Sequence, residues 1–384
     1  MRQLTYVKRG LLEWREVDAP RIQSPDDAIV RPFVASRCDG DSIFLFHDFS
    51  RALSLGAAVH VIDPAVHALG ESPFGGPFPY GHECVAEIVE LGENVRGLAA
   101  GDAVIVPWAV SCGVCATCRR GLTSKCERNK HPVSGYGFGP STGGWGGMVS
   151  DLLRVPFAKH MLVPVPRGVD PIAIASASDN IPDAWRTVGP YLRERPDGAV
   201  LVIGGKAKSI GLYAAGIAVA LGASRVDYLD TDSDRASLAS SLGANAQVVT
   251  GKERWLRKGA PIHGGGYAVT VDASNHRWGL DYAVRTLAPG GTATSVGFYL
   301  FKGTPLPLWQ MYLNESTFRT GLSNPSADLP RVLELIASGR FQPGKITSRV
   351  ADWDDAAEAF LEPGTKAVVA RSRMTRAESD VRQN

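Results

Sequence analysis

Long hydrophobic runs are missing from this 384-residue chain. Its strongest apolar stretch, residues 210–221, falls well short of the ~20 residues that a membrane-spanning helix requires. The opening MRQLTYVKRG lacks the apolar core of a secretory signal, so a cytoplasmic protein is expected. Net charge is scarce as well. With 41 Lys and Arg against 39 Asp and Glu, the formal charge of +2 gives no global attraction to nucleic acid or to an anionic membrane. Six cysteines are too few to staple a chain of this length with disulfides. Neither low-complexity segments nor a repeat of fixed period is present. What remains is an ordinary globular composition, 44% hydrophobic with 42 Gly and 25 Pro, and enough length for two domains.

The first part of the chain reads as short strands broken by Gly and Pro. Residues 28–36 (AIVRPFVAS), 84–91 (CVAEIVEL) and 103–107 (AVIVP) are β-branched runs bounded by turn residues. Residues 48–76 differ in character, and within them 51–58 suits a helix. After about Pro182 the pattern changes. AVLVI (199–203), a Gly-containing turn, IGLYAAGIAVALG and VDYLD (226–230) form a βαβ unit. It continues with a helix over 232–242, strands over 247–249 and 267–272, a helix over 278–287 and a strand over 292–297. Such alternation predicts a parallel sheet with helices on both faces. A helix-like stretch from Asp328, residues 346–351, an acidic helix candidate over 354–360 and a last strand over 366–370 follow, and these are expected to return to the first domain. The charged tail 373–384 is expected to fray.

Four of the six cysteines stand as C-x2-C-x2-C-x7-C at Cys112, Cys115, Cys118 and Cys126. Four thiolates in one compact loop suit tetrahedral zinc in a closed, structural site, and Arg119, Arg120, Lys125 and Arg128 are placed to offset their charge. The bacterial ferredoxin run has three residues before its last Cys and Pro after it, whereas here there are seven, followed by Glu127. A second set is dispersed. Gly81-His82-Glu83 precedes the strand 84–91, and Cys38, with Asp41 three residues on, follows the strand ending at Ser36.

Together these motifs resemble the zinc-dependent alcohol dehydrogenases of the medium-chain dehydrogenase/reductase superfamily, in the same order and over roughly residues 1–370. The resemblance implies an α/β protein: a discontinuous, β-rich GroES-like catalytic domain (1–180 and 327–384) with a zinc lobe at 108–130, and a Rossmann doubly wound parallel-sheet coenzyme domain (181–326). It implies two zinc ions per chain. The structural one belongs to the four-cysteine lobe. The catalytic one is held by Cys38, His82 and a third ligand in SASDNIPDAWRTV (176–188), which makes that ligand Asp179, with a helix N-cap as its other reading and Asp183 as the fallback carboxylate. Glu83 is an alternating fourth ligand or a supporting group. A three-ligand site with an open position acts as a Lewis acid on a substrate oxygen.

For the coenzyme, the turn Gly204-Gly205-Lys206-Ala207-Lys208-Ser209-Ile210-Gly211 follows AVLVI and opens a helix. It is longer than G-x-G-x-x-G, and Lys206 stands where a second glycine is expected. Asp230, at the end of the second strand, suits a ribose 2′-hydroxyl and repels a 2′-phosphate, which favours NAD over NADP. Lys366 resembles the family's basic contact to the pyrophosphate, and Trp108 a position lining the substrate pocket.

Two departures qualify the resemblance. Many relatives place Ser or Thr two residues after the first Cys to take the alcohol proton; here that residue is Gly40, leaving Ser42, His47, Glu83 or water for the task. The interval from Cys38 to His82 is also longer than in many relatives, and residues 48–76 are read as a substrate-entry flap. The expected activity is hydride transfer between an alcohol and an aldehyde or ketone, with a polyol or sugar dehydrogenase as runner-up and a non-catalytic zinc- and nucleotide-binding scaffold as the alternative of another class. The partners expected are a small-molecule alcohol or carbonyl substrate and, from the family, further copies of the chain in a dimer or tetramer.

Overall fold

The computed structural model describes residues 1–69, 74–249 and 264–374. Residues 70–73 of the expected flap and 375–384 of the expected frayed tail lie outside them. Among the described residues no helix is long and apolar enough to cross a membrane.

The strands, in chain order, are β1 (Arg2–Lys8), β2 (Leu11–Glu16), β3 (Ala28–Ser36), β4 (Phe78–Pro79), β5 (Cys84–Leu91), β6 (Ala103–Ile105), β7 (Leu153–Val155) and β8 (Val163–Pro164). They continue with β9 (Val200–Ile203), β10 (Val226–Asp230), β11 (Asn245–Val248), β12 (Tyr267–Asp272), β13 (Leu287–Ser295), β14 (Thr317–Thr320), β15 (Arg349–Asp352) and β16 (Ala367–Ala370). The chain divides into two compact units, one of Met1–Pro182, Asn324–Ala337 and Thr347–Asn384, the other of Asp183–Ser323 and Ser338–Ile346. The expected return to the first domain from 327 onward is therefore interrupted. Residues 338–346 pack in the second unit, where the Phe341 ring meets Tyr213 edge-on at 6.3 Å.

In the first unit one sheet runs β15-β16-β3-β5-β6-β8 with β7 also on β3, and a smaller one runs β2-β1-β4. Apart from the parallel pair β15 and β16, the pairings are antiparallel. Strand β3 carries Pro32 in its interior, where a ladder donor is lost, and the register with β5 shifts between Pro32 and Val34. Proline is tolerated at such a bulge; β3 runs on to Ser36, paired with Val368 of β16, and Arg37 and Cys38 follow it. Strand β1 and residues 78–80 close the core beneath, with Leu4, Tyr80, Cys84, Ala86 and Ile88 fully buried.

In the second unit the sheet order is β11-β10-β9-β12-β13-β14, every pair parallel. Numbered within the unit this is 3-2-1-4-5-6, and the order reverses between β9 and β12, where nucleotides bind in open parallel sheets. VLVI of β9 is buried at all four residues, as a strand covered on both faces must be. The helix Lys208–Ala220 is apolar nearly all round, because it is buried from Ser209 to Ala218. Expected and observed bounds differ by a few residues: the helix read at 232–242 is Ser233–Ser241, that at 278–287 is Arg277–Arg285, and the strand read at 292–297 begins earlier, at Leu287. Strand β14 was not anticipated; its TFRT lacks the apolar run that marked the others.

Candidate functional site

Cys38, His82 and Asp179 come from three separate stretches of the first unit, and one donor atom from each lies within 4.8 Å of the other two. Cys38 follows β3, His82 precedes β5 and Asp179 precedes the helix Asn180–Glu194. Gly81 makes the approach possible: it has φ +92, and a Cβ there would lie 2.6 Å from Val149 Cγ2. The Cys38 thiol donates to Asp179 Oδ2 at 3.2 Å, and His82 Nε2 lies 3.5 Å from the same oxygen. Asp179 thus turns its carboxylate to the cluster.

The donor set fits a zinc ion in three respects. Thiol, imidazole and carboxylate are its usual ligands, and three of them leave a position open. His82 Nδ1 is buried with no hydrogen-bond partner, and the nearest acid to it is Asp41, with Oδ1 at 3.7 Å. An imidazole that offers Nε2 to a metal carries its proton on Nδ1 and directs it to such a carboxylate. Burial pushes His82 down, yet Asp41, Asp179 and Glu83 push it up to about 9. Burial, with Asp179 adding to it, holds the Cys38 thiol well above its ordinary value. The acids around His82 favour positive charge there, and a divalent cation binding the set would displace the protons of His82 and Cys38.

Glu83 supports this set from behind. Its buried carboxylate accepts from Ser36 Oγ at 2.6 Å, Ser176 Oγ at 3.3 Å, the Asn180 backbone N–H at 2.9 Å and Lys366 Nζ at 3.1 Å. Its oxygens hold four donors, and it is not one of the three converging residues. Lys366 is a correction. The reading as a pyrophosphate contact assumed an exposed ammonium, but the side chain is 1% exposed and donates to the Arg37 carbonyl at 2.8 Å, to Glu83 and to Asn180 Oδ1 at 2.7 Å. Its three N–H groups are spent. Asp183, the fallback ligand, pairs instead with Arg186 at 2.5 Å in the second unit.

Aromatic side chains cover the set on one flank. Phe138 lies on the His82 ring with centroids 4.6 Å apart, and from it contacts run to Trp108 at 6.2 Å and Phe74 at 6.2 Å, then from Phe74 to Phe49 at 5.8 Å. Trp108 itself is 5% exposed, so most of its surface serves the core. Phe49 and Phe74 belong to the long interval between Cys38 and His82. Phe138 escaped the sequence reading because it lies in a Gly-rich stretch, YGFGP, with no periodicity to mark it.

The four cysteines Cys112, Cys115, Cys118 and Cys126 also converge, with their sulfurs within 4.8 Å of one another. Backbone N–H groups meet the sulfurs, from Cys112 to Cys126 Sγ at 3.3 Å and from Cys118 to Cys115 Sγ at 3.4 Å. Basic side chains had been expected to offset the thiolates. Lys125 instead donates to the Pro132 carbonyl and Arg120 to Thr117 Oγ1.

In the second unit the turn after β9 approaches β12 closely: a Cβ on Gly205 would lie 2.7 Å from Ser274 Cα. The N–H groups of Lys206 and Ala207 are tied to the Ser274 and Ala273 carbonyls at 3.3 and 3.0 Å. Ser209, Ile210 and Gly211 fall in the first turn of the helix that follows, where the positive end of the helix dipole suits an anion. Asp230 ends β10 as expected, but its carboxylate is occupied by Arg235 at 2.6 and 2.8 Å, Tyr228 Oη at 2.8 Å and the Asp232 N–H at 3.1 Å.

Comparison with known proteins places these features. Residues 55–167 match the alcohol dehydrogenase GroES-like domain, and residues 209–338 match the zinc-binding dehydrogenase family. A protein of Mycobacterium tuberculosis described as a probable zinc-binding alcohol dehydrogenase is 30% identical over 298 residues, 76% of this chain and 72% of that protein. The solved alcohol dehydrogenase of Thermus sp. ATN1 superposes with a TM-score of 0.78 at 29% identity, over 96% of this chain and 99% of its own. A candidate zinc-binding dehydrogenase of Sinorhizobium meliloti, solved with NADP, shares the fold with a TM-score of 0.72 at 21% identity, over 96% and 99% of the two chains. The α/β fold, a GroES-like part joined to a zinc-binding dehydrogenase part, is that of an oxidoreductase using zinc and a nucleotide cofactor, and the chain belongs to the zinc-dependent alcohol dehydrogenases of the medium-chain dehydrogenase/reductase superfamily.

Proposed function

We propose that this chain interconverts an alcohol with its aldehyde or ketone by hydride transfer to or from a nicotinamide coenzyme, NAD(H) in preference to NADP(H). The convergence of Cys38, His82 and Asp179 within 4.8 Å carries the reading. These three residues would hold the catalytic zinc, which when bound supplies a Lewis acid for the substrate oxygen. Asp41 Oδ1, 3.7 Å from His82 Nδ1, is the carboxylate toward which the Nδ1 proton would point once the ring bound metal, and Phe138 lies against the imidazole and keeps water from that side. The wall of Phe138, Phe74, Phe49 and Trp108 favours apolar alcohols over polyols. Gly40 offers no hydroxyl and Glu83 is saturated, so the substrate proton leaves by Ser42, His47 or water. The four-cysteine loop would hold a second, structural zinc.

For the coenzyme, Ser209, Ile210 and Gly211 present the helix N-terminus to the pyrophosphate, with Gly204 and Gly205 allowing the close turn. Asp230 places a carboxylate where a 2′-phosphate would sit, and the Arg235 partner moderates the repulsion. We further propose a homo-oligomer: in the second unit the helix Leu308–Asn314 buries none of its residues, and Leu308, Trp309, Tyr312 and Leu313 are each more than 60% exposed. The six thiols are unpaired, which suits a reducing cytoplasm.

The test is nicotinamide absorbance over a panel of apolar alcohols, polyols and aldehydes with each coenzyme. Turnover with benzylic or branched alcohols and NAD is expected. A protein carrying both metals that turns over nothing on the panel would be a scaffold instead.

A further inference from the structure

Asn180 stands immediately after Asp179 at the start of the helix Asn180–Glu194 and is fully buried. Its Nδ2 donates to Cys38 Sγ at 3.1 Å and to Asp179 Oδ2 at 3.1 Å. Its Oδ1 accepts from Lys366 Nζ at 2.7 Å and from the Asp39 N–H at 3.1 Å. Both amide N–H groups and both oxygen lone pairs are therefore used. The orientation has no alternative: a flipped amide would set Oδ1 against a sulfur and a carboxylate, and the NH2 group against an ammonium. Lys366 is in turn fixed by Glu83 and the Arg37 carbonyl.

We propose that Asn180 is a positioning residue for the metal set, its amide polarised by Lys366 so that Nδ2 holds Cys38 and Asp179 at ligand spacing and draws electron density from the Cys38 sulfur. The inference rests on the reading of Cys38, His82 and Asp179 as zinc ligands. The amide faces two of the three. A positive charge on the oxygen of an amide strengthens its N–H donors, and donors to a ligating sulfur lower its basicity and leave the metal more electrophilic. Neither the motif spacing nor the family resemblance marked this residue; its one visible signal is an amide beside a proposed ligand in a stretch that must pack without water.

Two variants test it. Asn180→Asp retains an acceptor for Lys366 and the Asp39 N–H, but replaces the donors to Cys38 and Asp179 with a carboxylate oxygen and adds a negative charge beside them. Asn180→Ser keeps a small polar side chain too short to reach either. Each is compared with the unaltered chain as the zinc protein and as the cobalt(II) protein, where the four-cysteine site contributes equally to both and cancels in the difference spectrum. The expected results are a sulfur-to-cobalt charge-transfer band moved to longer wavelength and loss of the cluster zinc to a chelator about tenfold faster or more, with far-ultraviolet circular dichroism unchanged. A folded variant with the parent's band and release rate overturns the proposal. Cys38→Ser is the control: should it leave the cobalt spectrum and zinc content unaltered, the ligand assignment itself fails, an outcome distinct from an insensitive Asn180 in a chain whose Cys38 does bind metal.

Discussion

Lys366 Nζ lies 3.1 Å from Glu83 Oε2, and the two side chains are 1% and 0% exposed. The pair joins the residue before β16 to the loop before β5 and lies behind the proposed zinc ligands. Removing one member of a buried pair strands the other charge, so Lys366→Met is expected to lower the unfolding free energy by about 3–5 kcal/mol in denaturant titration. Were Lys366 a pyrophosphate contact, the substitution would raise KM for the coenzyme and leave stability intact.

Asp232 caps the helix Ser233–Ser241, accepting from the N–H groups of Asp234 and Arg235 at 3.0 Å each. The Arg235 N–H, followed by the Arg235 charge, holds its carboxyl below the ordinary carboxylate range. A depressed folded pKa contributes stability above the unfolded value of 3.8 that is lost as pH falls through the folded value. Asp232→Ala should therefore cost about 1 kcal/mol at neutral pH. That difference from the parent should shrink as thermal melting is repeated at lower pH, below the ordinary Asp range; a constant difference would mean the charge is not what the cap contributes.

Phe138 lies 4.6 Å from the His82 ring and forms part of the proposed apolar wall. Phe138→Ala should reduce kcat/KM for benzylic alcohols by about ten- to hundredfold and change that for small polyols much less. Equal losses on both substrate classes would place Phe138 in support of His82 alone.

Asp230 and Arg235 form a buried ion pair at the end of β10. Asp230→Asn removes the carboxylate charge and frees Arg235 for a 2′-phosphate. The ratio of kcat/KM for NADP to that for NAD should rise at least about tenfold, equivalent to ~1.4 kcal/mol. An unchanged ratio would remove Asp230 from coenzyme discrimination.

The alternating β and α segments after Pro182 were legible because buried parallel strands such as VLVI and helices such as Lys208–Ala220 carry strong local patterns. Cysteine spacing and Gly-His-Glu marked groups that the fold brings together, since ligand chemistry restricts residue type. The partners of those groups were less visible. Whether Lys366 meets solvent or Glu83 depends on β16 pairing with β3, a contact between residues more than 300 apart in sequence. Asn180 and Phe138 act through one side chain each and leave no periodic trace. Residues 338–346 fall in the second unit, where Phe341 packs on Tyr213, a tertiary contact with no local signal.

The most direct measurement of the central claim is zinc content per chain in the parent, Asp179→Ala and Cys118→Ser, read beside alcohol-dependent NADH formation. The account predicts two zinc ions in the parent, one for each converging cluster, one in each variant, and no turnover in Asp179→Ala. A parent with two zinc ions whose Asp179→Ala variant retains both and still oxidises alcohol would contradict it.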